Sequence, residues 1–339
     1  RPRAIFVQPG ANDAGTALGA ALEAASRRGL APAGIMRHPY LGPDFTPAQA
    51  EAALKHSGLA YGRASSAASE TADLLARGEV VCWCQGRMEF GPRALGGRSI
   101  LADPRRPEMH ARVNRIKERE SWRPFGPSIL AGHEKEWFEG GFDTRFMLFT
   151  LPFRPGKAAL VPAVAHCDGT SRPQSVHRRE NPLYHELITR FHKLTGVPMV
   201  LNTSFNRRGE PIACSPRDAV DCFLGLPDAD ALVLGPFIAR RRPALKGARS
   251  PRGAAASSLA ALPGGRRLML RLNARCDCDC VHCTIRDIAH LKERRFEDAL
   301  RALAEGRKAA CSELVVMRGE PALWPGIAEL LRRARRMGY

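Results

Sequence analysis

Arginines and glycines suited to binding an anion are concentrated in residues 86–104, GRMEFGPRALGGRSILADP. The arginines of this stretch are Arg87, Arg93 and Arg98. Planar guanidinium groups match phosphate or carboxylate oxygens, and glycine lets a backbone approach a ligand closely. The stretch therefore indicates either an anion-binding site or a basic surface loop, and its composition alone does not decide between them.

A second group of chemically active residues lies near the C-terminal end of the sequence. Cys276, Cys280 and Cys283 follow a C-x3-C-x2-C pattern. Three thiolates at this spacing can hold three irons of a [4Fe–4S] cluster and leave the fourth iron free for S-adenosylmethionine. The extra thiol of Cys278 keeps a structural zinc site open as an alternative.

The elements that would position these residues alternate between strands and helices. Residues 79–85 are rich in β-branched and aromatic side chains, which predicts a buried strand directly before the arginine-rich stretch. Further strands are predicted at 3–9, 128–130, 146–153, 161–166, 197–201, 231–234, 268–272 and 313–317, and helices at 17–28, 47–55, 69–77, 107–120, 182–195, 218–224 and 325–336. This alternation is typical of an α/β fold, in which polar residues at strand ends, here Asn202 and Ser204, are candidates for ligand binding.

Charge and composition narrow the class of protein. Hydrophobic residues make up 44% of the chain and charged residues 25%, as in soluble globular proteins. The formal net charge of +18 makes polyanions plausible partners, although part of that charge lies in a Pro/Gly/Ala-rich linker at 243–265. No apolar run reaches the length of a membrane-spanning helix, and cysteines at metal-ligand spacing indicate a reducing, cytoplasmic compartment.

The central motifs resemble the C-terminal half of the nodulation-type O-carbamoyltransferases, the group that includes the tobramycin carbamoyltransferase. The resemblance covers residues 1–242, with matching motifs in the family's order at 86–103, 114–120 (NRIKERE), 122–125 (WRPF), 168–174, 201–206 and 210–212. It implies a YrdC-like twisted α/β domain at 61–242, preceded at 1–60 by the tail of an actin/hexokinase-like domain.

The resemblance also implies a reaction and the residues that carry it. The YrdC-like domain would form carbamoyl adenylate from carbamoyl phosphate and ATP with Mg, and the carbamoyl group would pass to a hydroxyl of a natural product or sugar. The implied catalytic and substrate-binding residues are Lys117, Arg123, Arg172, Arg93, Arg98, Asn202, Ser204 and Asn12. Asp13 would be a ligand of iron or another divalent metal in the first domain, whose two metal-binding histidines are absent here.

The cysteine cluster resembles the radical SAM signature. Gly319 and Glu320, in the sequence RGEP, resemble the GGEP motif that contacts the methionine amino group of S-adenosylmethionine. The resemblance implies that residues 266–339 begin a radical SAM β/α barrel with a [4Fe–4S] cluster. This segment is too short for a whole barrel, so we expect the chain to be truncated at its C-terminal end. The missing histidines of the first domain predict truncation at its N-terminal end as well.

Two alternative functions remain open at this stage. A YrdC-like domain with a basic surface also suits an RNA-binding or tRNA-modification module, which the amide and hydroxyl pattern around Asn202 disfavours relative to small-molecule chemistry. The other alternative is a radical SAM enzyme in which the carbamoyltransferase part is accessory. The leading hypothesis is an ATP-dependent O-carbamoyltransferase fused to a radical SAM module.

Overall fold

A computed structural model of the chain describes residues 6–30, 36–241, 266–271, 295–317, 324 and 326–339. Contacts between Cα atoms divide the chain into two units, Arg1–Ala244 and Leu245–Tyr339. The first unit includes α2 (Pro47–Lys55) and β1 (Ala60–Arg63) together with the elements that follow them. The boundary predicted at residue 60 between two domains therefore stays a prediction.

The first unit alternates helices and strands, as the sequence predicts. Its other helices are α1 (Thr16–Arg27), α3 (Ala67–Ala76), α4 (Glu108–Ile116), α5 (Glu134–Trp137), α6 (Pro182–Thr195) and α7 (Pro216–Leu224). Its other strands are β2 (Val81–Cys84), β3 (Arg98–Ala102), β4 (Gly126–Leu130), β5 (Leu151–Pro152), β6 (Thr170–Ser171), β7 (Gln174–Val176), β8 (Met199–Ser204), β9 (Ala231–Leu234) and β10 (Phe237–Arg240).

One mixed sheet organises this unit, with the strand order β1-β10-β9-β2-β3-β8-β4-β7. The β2–β9 and β4–β7 pairs are parallel and the remaining neighbours are antiparallel. Every residue of β2, β3, β4 and β9 is buried. Because successive side chains of a strand point to opposite faces, both faces of the centre of the sheet are covered. Helix α6 packs on β4 and β8, and α7 packs on β2 and β9.

Local sequence signals set several helix ends where they were predicted. Thr46 forms a reciprocal capping box with Gln49 at the start of α2, because each side chain bonds to the other residue's backbone amide. Helix α6 begins after Asn181, whose side chain accepts from the Tyr184 amide, and ends at Gly196, which has a φ of +76°. The predicted bounds of α6 are confirmed.

Three predicted strands are wrong in whole or in part. Of the strand predicted at 3–9, the described residues 6–9 form no strand. In the segment predicted at 146–153, only Leu151–Pro152 pairs with another strand, and the segment predicted at 161–166 contains the 3-10 turn Pro162–Val164. Proline has no backbone N–H to donate to a neighbouring strand, so Pro162 limits pairing in the segment 161–166. Helix α4 also ends at Ile116 rather than at residue 120, because Glu118 adopts a left-handed conformation with φ of +48°.

The second unit contains parallel strands separated by a helix. The strands β11 (Arg266–Arg271) and β12 (Cys311–Met317) pair in parallel, and α8 (Phe296–Lys308) lies between them in the sequence and packs on both. A last helix, α9 (Ile327–Arg336), packs against α8. The strands predicted at 268–272 and 313–317 are confirmed as elements. A complete barrel stays a prediction.

The described residues include no helix that is both long enough and apolar enough to cross a membrane. This agrees with the sequence, in which charged residues interrupt every apolar run before it reaches the required length.

Candidate anion-binding site

The loop between β2 and β3 is held by one buried carboxylate. Oε1 of Glu89 accepts hydrogen bonds from the backbone amides of Leu95 (2.6 Å), Gly97 (2.8 Å) and Arg98 (3.1 Å). Bonds from N–H groups to an ionised acceptor are among the stronger hydrogen bonds in proteins. Glu89 therefore fixes the turn that leads into β3, a role the sequence analysis did not assign. Its signal in the sequence is an acidic residue between the first two arginines of the glycine- and arginine-rich stretch.

Backbone oxygens of the same loop are bound by side chains from β2 and from the segment before α2. Nε1 of Trp83 donates to Gly96 O at 2.9 Å, and Oη of Tyr40 donates to Leu95 O at 2.8 Å. Gly96 has a φ of +99°, and a Cβ there would lie 2.2 Å from the Tyr184 ring. Both the backbone conformation and the close approach of this ring therefore require glycine at this position.

Arg98 is locked into the protein interior rather than directed at a ligand. Its NH1 donates to the carbonyls of Gln85, Gly86 and Gly97 at 3.0 Å each, and its Nε donates to Cys214 O at 3.0 Å. The side chain is fully buried, and its guanidinium lies over the Phe45 ring. The structure therefore does not bring Arg98 to the cleft described below, because its donors stabilise the loop backbone.

Three other arginines converge on a cleft at the end of β8. Arg93 comes from the β2–β3 loop, Arg119 from the turn after α4, and Arg172 from the segment between β6 and β7. The cleft has a volume of about 90 Å³, and Asn202 and Ser204 of β8 complete its polar lining. No carboxylate is among the described residues that line it. A cleft far smaller than the ~300–1,000 Å³ typical of drug-sized ligands, and lined by cations, is suited to a small anion.

The arginines of this cleft carry unused donors in a partly desolvated environment. Nε of Arg93, Nε of Arg172 and NH2 of Arg119 are buried without a hydrogen-bond partner among the described residues. Burial lowers the pKa of Arg93, and burial together with the Arg93 charge lowers the pKa of Arg172 to about 10. Burial, with repulsion from Arg123, lowers the pKa of Arg119 to about 10. Burial is the main cause of each shift, so each pKa reflects a cation that is partly removed from water.

Arg119 is a functional candidate that the sequence analysis did not assign. Its Nε donates to Oδ1 of Asn114 at 2.7 Å, and its guanidinium lies 4.4 Å from the centre of the Phe125 ring. Nδ2 of Asn114 in turn donates to the carbonyls of Ser121 and Arg123, which closes the turn that carries Arg119. Its signal in the sequence is its place within the NRIKERE motif, two residues after Lys117.

Lys117 donates hydrogen bonds to the C-terminal end of β8. Its Nζ donates to Ser204 O (2.6 Å), Asn206 O (3.0 Å) and Oδ1 of Asn206 (2.9 Å), and lies 3.4 Å from Oγ of Ser204. Burial and the charge of Arg119 lower the pKa of Lys117, whereas the oxygens around Nζ favour its ammonium form. Lys117 thus positions Ser204 rather than lining the cleft itself, and its catalytic role stays a prediction.

The remaining predicted residues do not line the arginine cleft. Arg123 is half-exposed and pairs with Glu120 at 3.0 Å. Asn12 caps a 3-10 turn by accepting from the Ala14 amide, and Asp13 follows it on the exposed side of this turn. In the described part of the chain, no group of three or more His, Cys, Asp or Glu side chains could hold a metal ion. The role of Asp13 as a metal ligand stays a prediction.

The predicted cluster and S-adenosylmethionine ligands lie outside the described residues. These are Cys276, Cys280, Cys283, Gly319 and Glu320. Their roles, and the zinc alternative that involves Cys278, stay predictions.

Comparisons with known proteins bear on the region that contains the cleft. The family model described as Carbamoyltransferase C-terminus matches residues 72–241. Nodulation protein NolO of Bradyrhizobium diazoefficiens is 48% identical over 248 residues, which are 71% of this chain and 45% of that protein. Nodulation protein NolNO of Sinorhizobium fredii is 47% identical over 252 residues, which are 71% of this chain and 36% of that protein. The chain spans less than half the length of these curated relatives.

Similarity to solved structures is weaker. The crystal structure of P. abyssi Sua5 complexed with L-threonine aligns with a TM-score of 0.39 and 12% sequence identity, over 80% of this chain and 85% of that chain. A score this low does not establish a shared fold, so the YrdC-like assignment stays a prediction. The family match is independent of it and includes every residue that lines the arginine cleft. The chain belongs to the Carbamoyltransferase C-terminus family.

Proposed function

We propose that this chain contains the carbamoyl-activating part of an ATP-dependent O-carbamoyltransferase. In this proposal the cleft formed by Arg93, Arg119 and Arg172 binds the phosphate-bearing donor, carbamoyl phosphate, and contributes to binding ATP. The observation that carries the proposal is the convergence of three partly buried cations without a carboxylate among the described lining residues. Such an arrangement is stabilised when an anion occupies it.

The chemistry of the proposed step requires fixed positive charge. Water attacks the phosphorus of carbamoyl phosphate, and the bond from phosphorus to the carbamate oxygen breaks. Carbamate is the leaving group, and inorganic phosphate and one proton are released. The released carbamate oxygen then attacks the α-phosphorus of ATP and displaces pyrophosphate, which yields carbamoyl adenylate. During both steps negative charge shifts between these oxygens. Guanidinium donors that are already in place lower the activation barrier, because the site does not have to reorganise around the new charge. Magnesium, when bound with ATP, would neutralise part of the phosphate charge.

The chain's own residues supply binding and orientation in this scheme. Arg172 and Arg93 have free donors at the cleft, and Arg119 is oriented by Asn114. Lys117 fixes the end of β8, so Ser204 keeps its position in the wall of the cleft. Transfer of the carbamoyl group to a hydroxyl of a sugar or another natural product is the further step that we propose for the whole protein.

Isotope exchange tests the proposed activation. The full chain should catalyse exchange of labelled pyrophosphate into ATP only when carbamoyl phosphate is present. Arg172→Met should reduce this exchange by about 100-fold, the scale seen when one donor to developing negative charge is removed. Arg217→Met is the matched control, since Arg217 lies on α7 with its side chain 76% exposed and 3.9 Å from Asp221. Folded protein without exchange, or equal rates for the two variants, would contradict the proposal.

We further propose that the second unit is the start of a radical SAM module. Its parallel β11–α8–β12 arrangement supports this assignment, because β/α barrels are built from such units. Anaerobic reconstitution of the full chain with iron and sulfide should produce an iron–sulfur absorbance that is lost in Cys280→Ala. Stoichiometric zinc without iron would instead support the structural alternative.

A further inference from the structure

A cavity separate from the arginine cleft lies at the carboxyl ends of the parallel strands β2 and β9. Gln85 and Gly86 follow β2 and line this cavity, and Gly235 and Pro236 line it directly after β9. Its volume of about 570 Å³ is within the ~300–1,000 Å³ range of small-molecule sites, and ligands of α/β sheets commonly bind beyond the carboxyl ends of parallel strands. The described residues that line it include none that lines the arginine cleft.

One amide side chain in the wall of this cavity presents an unpaired acceptor. Gln85 is 9% exposed, and its Nε2 donates to Gly235 O at 2.8 Å. A backbone carbonyl can only accept, so the nitrogen of this amide must face Gly235 and Oε1 forms the other arm. Oε1 accepts no hydrogen bond from the described residues and is not fully buried, so it is accessible from the cavity. A ligand that donates to this fixed oxygen gains affinity.

Backbone donors come from helices that begin at the rim of the cavity. Ala67 is the first residue of α3 and Leu183 is the second residue of α6, and both line the cavity. Their amides have no acceptor among the described residues, as is usual in the first turn of a helix. The cavity therefore combines unpaired donors with the unpaired acceptor of Gln85.

The charges of the lining balance each other and favour a neutral ligand. Asp44 is the carboxylate and Arg63 the guanidinium among the described residues that line the cavity. The positive end of α3 is already compensated, because Oε1 of Glu70 accepts from the backbone amide and from the hydroxyl of Ser65 at 2.8 and 2.9 Å. An ionic ligand would lose hydration without meeting a net opposite charge, which is unfavourable.

Apolar groups complete the lining, and an aromatic ring is among them. Phe45 lines the cavity, and the Arg98 guanidinium holds its ring at 5.3 Å from the ring centre. Leu183 and Pro236 add aliphatic surface. The ligand that fits therefore has apolar faces as well as groups that both donate and accept hydrogen bonds. Hydroxyl groups on a saturated ring have this combination.

We propose that this cavity is a binding site for a neutral saccharide. Hydroxyl groups of the sugar donate to Oε1 of Gln85 and accept from the amides of Ala67 and Leu183, and a C–H face of the ring packs on Phe45. The inference goes beyond the proposed function, because it concerns a second ligand at a site that uses no residue of the arginine cleft. Each of the two sites can therefore be tested without the other.

Three matched sugars test the class of ligand. Glucose is neutral, glucuronate carries a carboxylate and glucosamine carries an ammonium group. Saturation-transfer NMR titrations of the full chain should show that glucose binds, and that each charged sugar binds about fivefold more weakly because its charge is not compensated in the cavity. Absence of glucose binding to the folded chain would overturn the inference. Tighter binding of either charged sugar than of glucose would overturn it as well.

Two variants assign the binding to this cavity. Gln85→Leu should weaken glucose binding by about tenfold, since it removes the acceptor. Ala67→Leu should weaken it at least as much, because the longer side chain occupies the cavity while every polar group remains. Ala52→Leu is the matched control, since Ala52 is exposed on α2 and does not line the cavity. An unchanged affinity for glucose in either folded cavity variant would overturn the inference.

Inorganic phosphate, titrated in parallel, separates this inference from the proposed function. Its affinity should change by no more than about twofold in Gln85→Leu and Ala67→Leu, because the arginines remain. A loss of phosphate and glucose binding together would indicate a general structural defect of the variant, and specific loss of glucose binding is the result that supports the saccharide site. If the wild-type chain binds phosphate but not glucose, the anion site stands and the saccharide site fails. If it binds glucose but not phosphate, the reverse holds.

Discussion

Replacing Arg172 with methionine should stabilise the chain in the absence of anions and abolish its stabilisation by phosphate. Nε of Arg172 is buried without a partner among the described residues, and Arg93 is the charge that repels it. Methionine keeps the apolar stem of the side chain and removes its charge. The two opposite effects of one substitution follow from the same feature, an uncompensated cation in a partly buried cleft.

The size of the first effect follows from the pKa of Arg172, which burial lowers from its ordinary 12.5 to about 10. At about 1.4 kcal/mol for each pH unit, this difference corresponds to about 3 kcal/mol of unfavourable free energy for the charged form. The side chain is only partly buried, so solvent screening reduces the expected gain to about 1–2 kcal/mol. Because the group is charged in both the folded and the unfolded chain near pH 7, the gain should be nearly constant around that pH.

The second effect follows from binding linkage. An anion that binds only the folded chain stabilises it by about 2.7 kcal/mol when present at 100 times its dissociation constant. Wild-type protein in chloride buffer should gain this stability on addition of phosphate, and Arg172→Met should gain much less. Arg217→Met, on the exposed face of α7, should respond to phosphate as the wild type does.

Hydrogen exchange measured on peptides that cover β8 (Met199–Ser204) is the appropriate assay. It reports the free energy of opening of the strand that forms the cleft, and it does not require the two units of the chain to unfold together. Faster exchange in β8 of Arg172→Met than of the wild type without phosphate would refute the argument from buried charge. Equal protection of both proteins by phosphate would refute the assignment of the anion site.

Three further predictions concern the residues that support the cleft. Glu89→Ala should destabilise the first unit by about 3 kcal/mol or more, since it leaves three buried amides of the β2–β3 loop without an acceptor, and urea unfolding followed by hydrogen exchange measures this. Gly96→Ala should be destabilising by about 1–3 kcal/mol in the same assay, because its Cβ would meet the Tyr184 ring in a left-handed conformation. Lys117→Met should weaken phosphate binding by about tenfold although every arginine remains, because it removes the hydrogen bonds that hold the backbone of residues 204–206. An unchanged affinity for phosphate would show that Lys117 does not position the wall of the cleft.

Much of the local structure could be predicted because it depends on neighbours in the sequence. The capping box at Thr46 and the left-handed stop at Gly196 involve contacts within a few residues, so the bounds of α2 and α6 follow from residue types alone. The buried strand β2 is likewise indicated by its β-branched and aromatic run. The strand predicted at 161–166 is wrong, because Pro162 begins a 3-10 turn there although the surrounding residues are apolar.

The sequence by itself determined that arginines, amides and a family of motifs lie close to predicted strand ends. Residues of the same type have different roles, however, and only tertiary contacts decide which residue has which role. Arg93 and Arg98 belong to one motif, yet Arg98 is bound by four backbone carbonyls in the interior whereas Arg93 lines the cleft. Arg119 reaches the cleft because a left-handed residue ends α4 early and turns the chain back. Oδ1 of Asn202 is buried without a partner among the described residues, whereas its Nδ2 is bound by Ala94 and Ser128, which lie far from it in the sequence. Burial and competition for hydrogen-bond partners are properties of the folded chain, so they settle which of the predicted residues can meet a ligand.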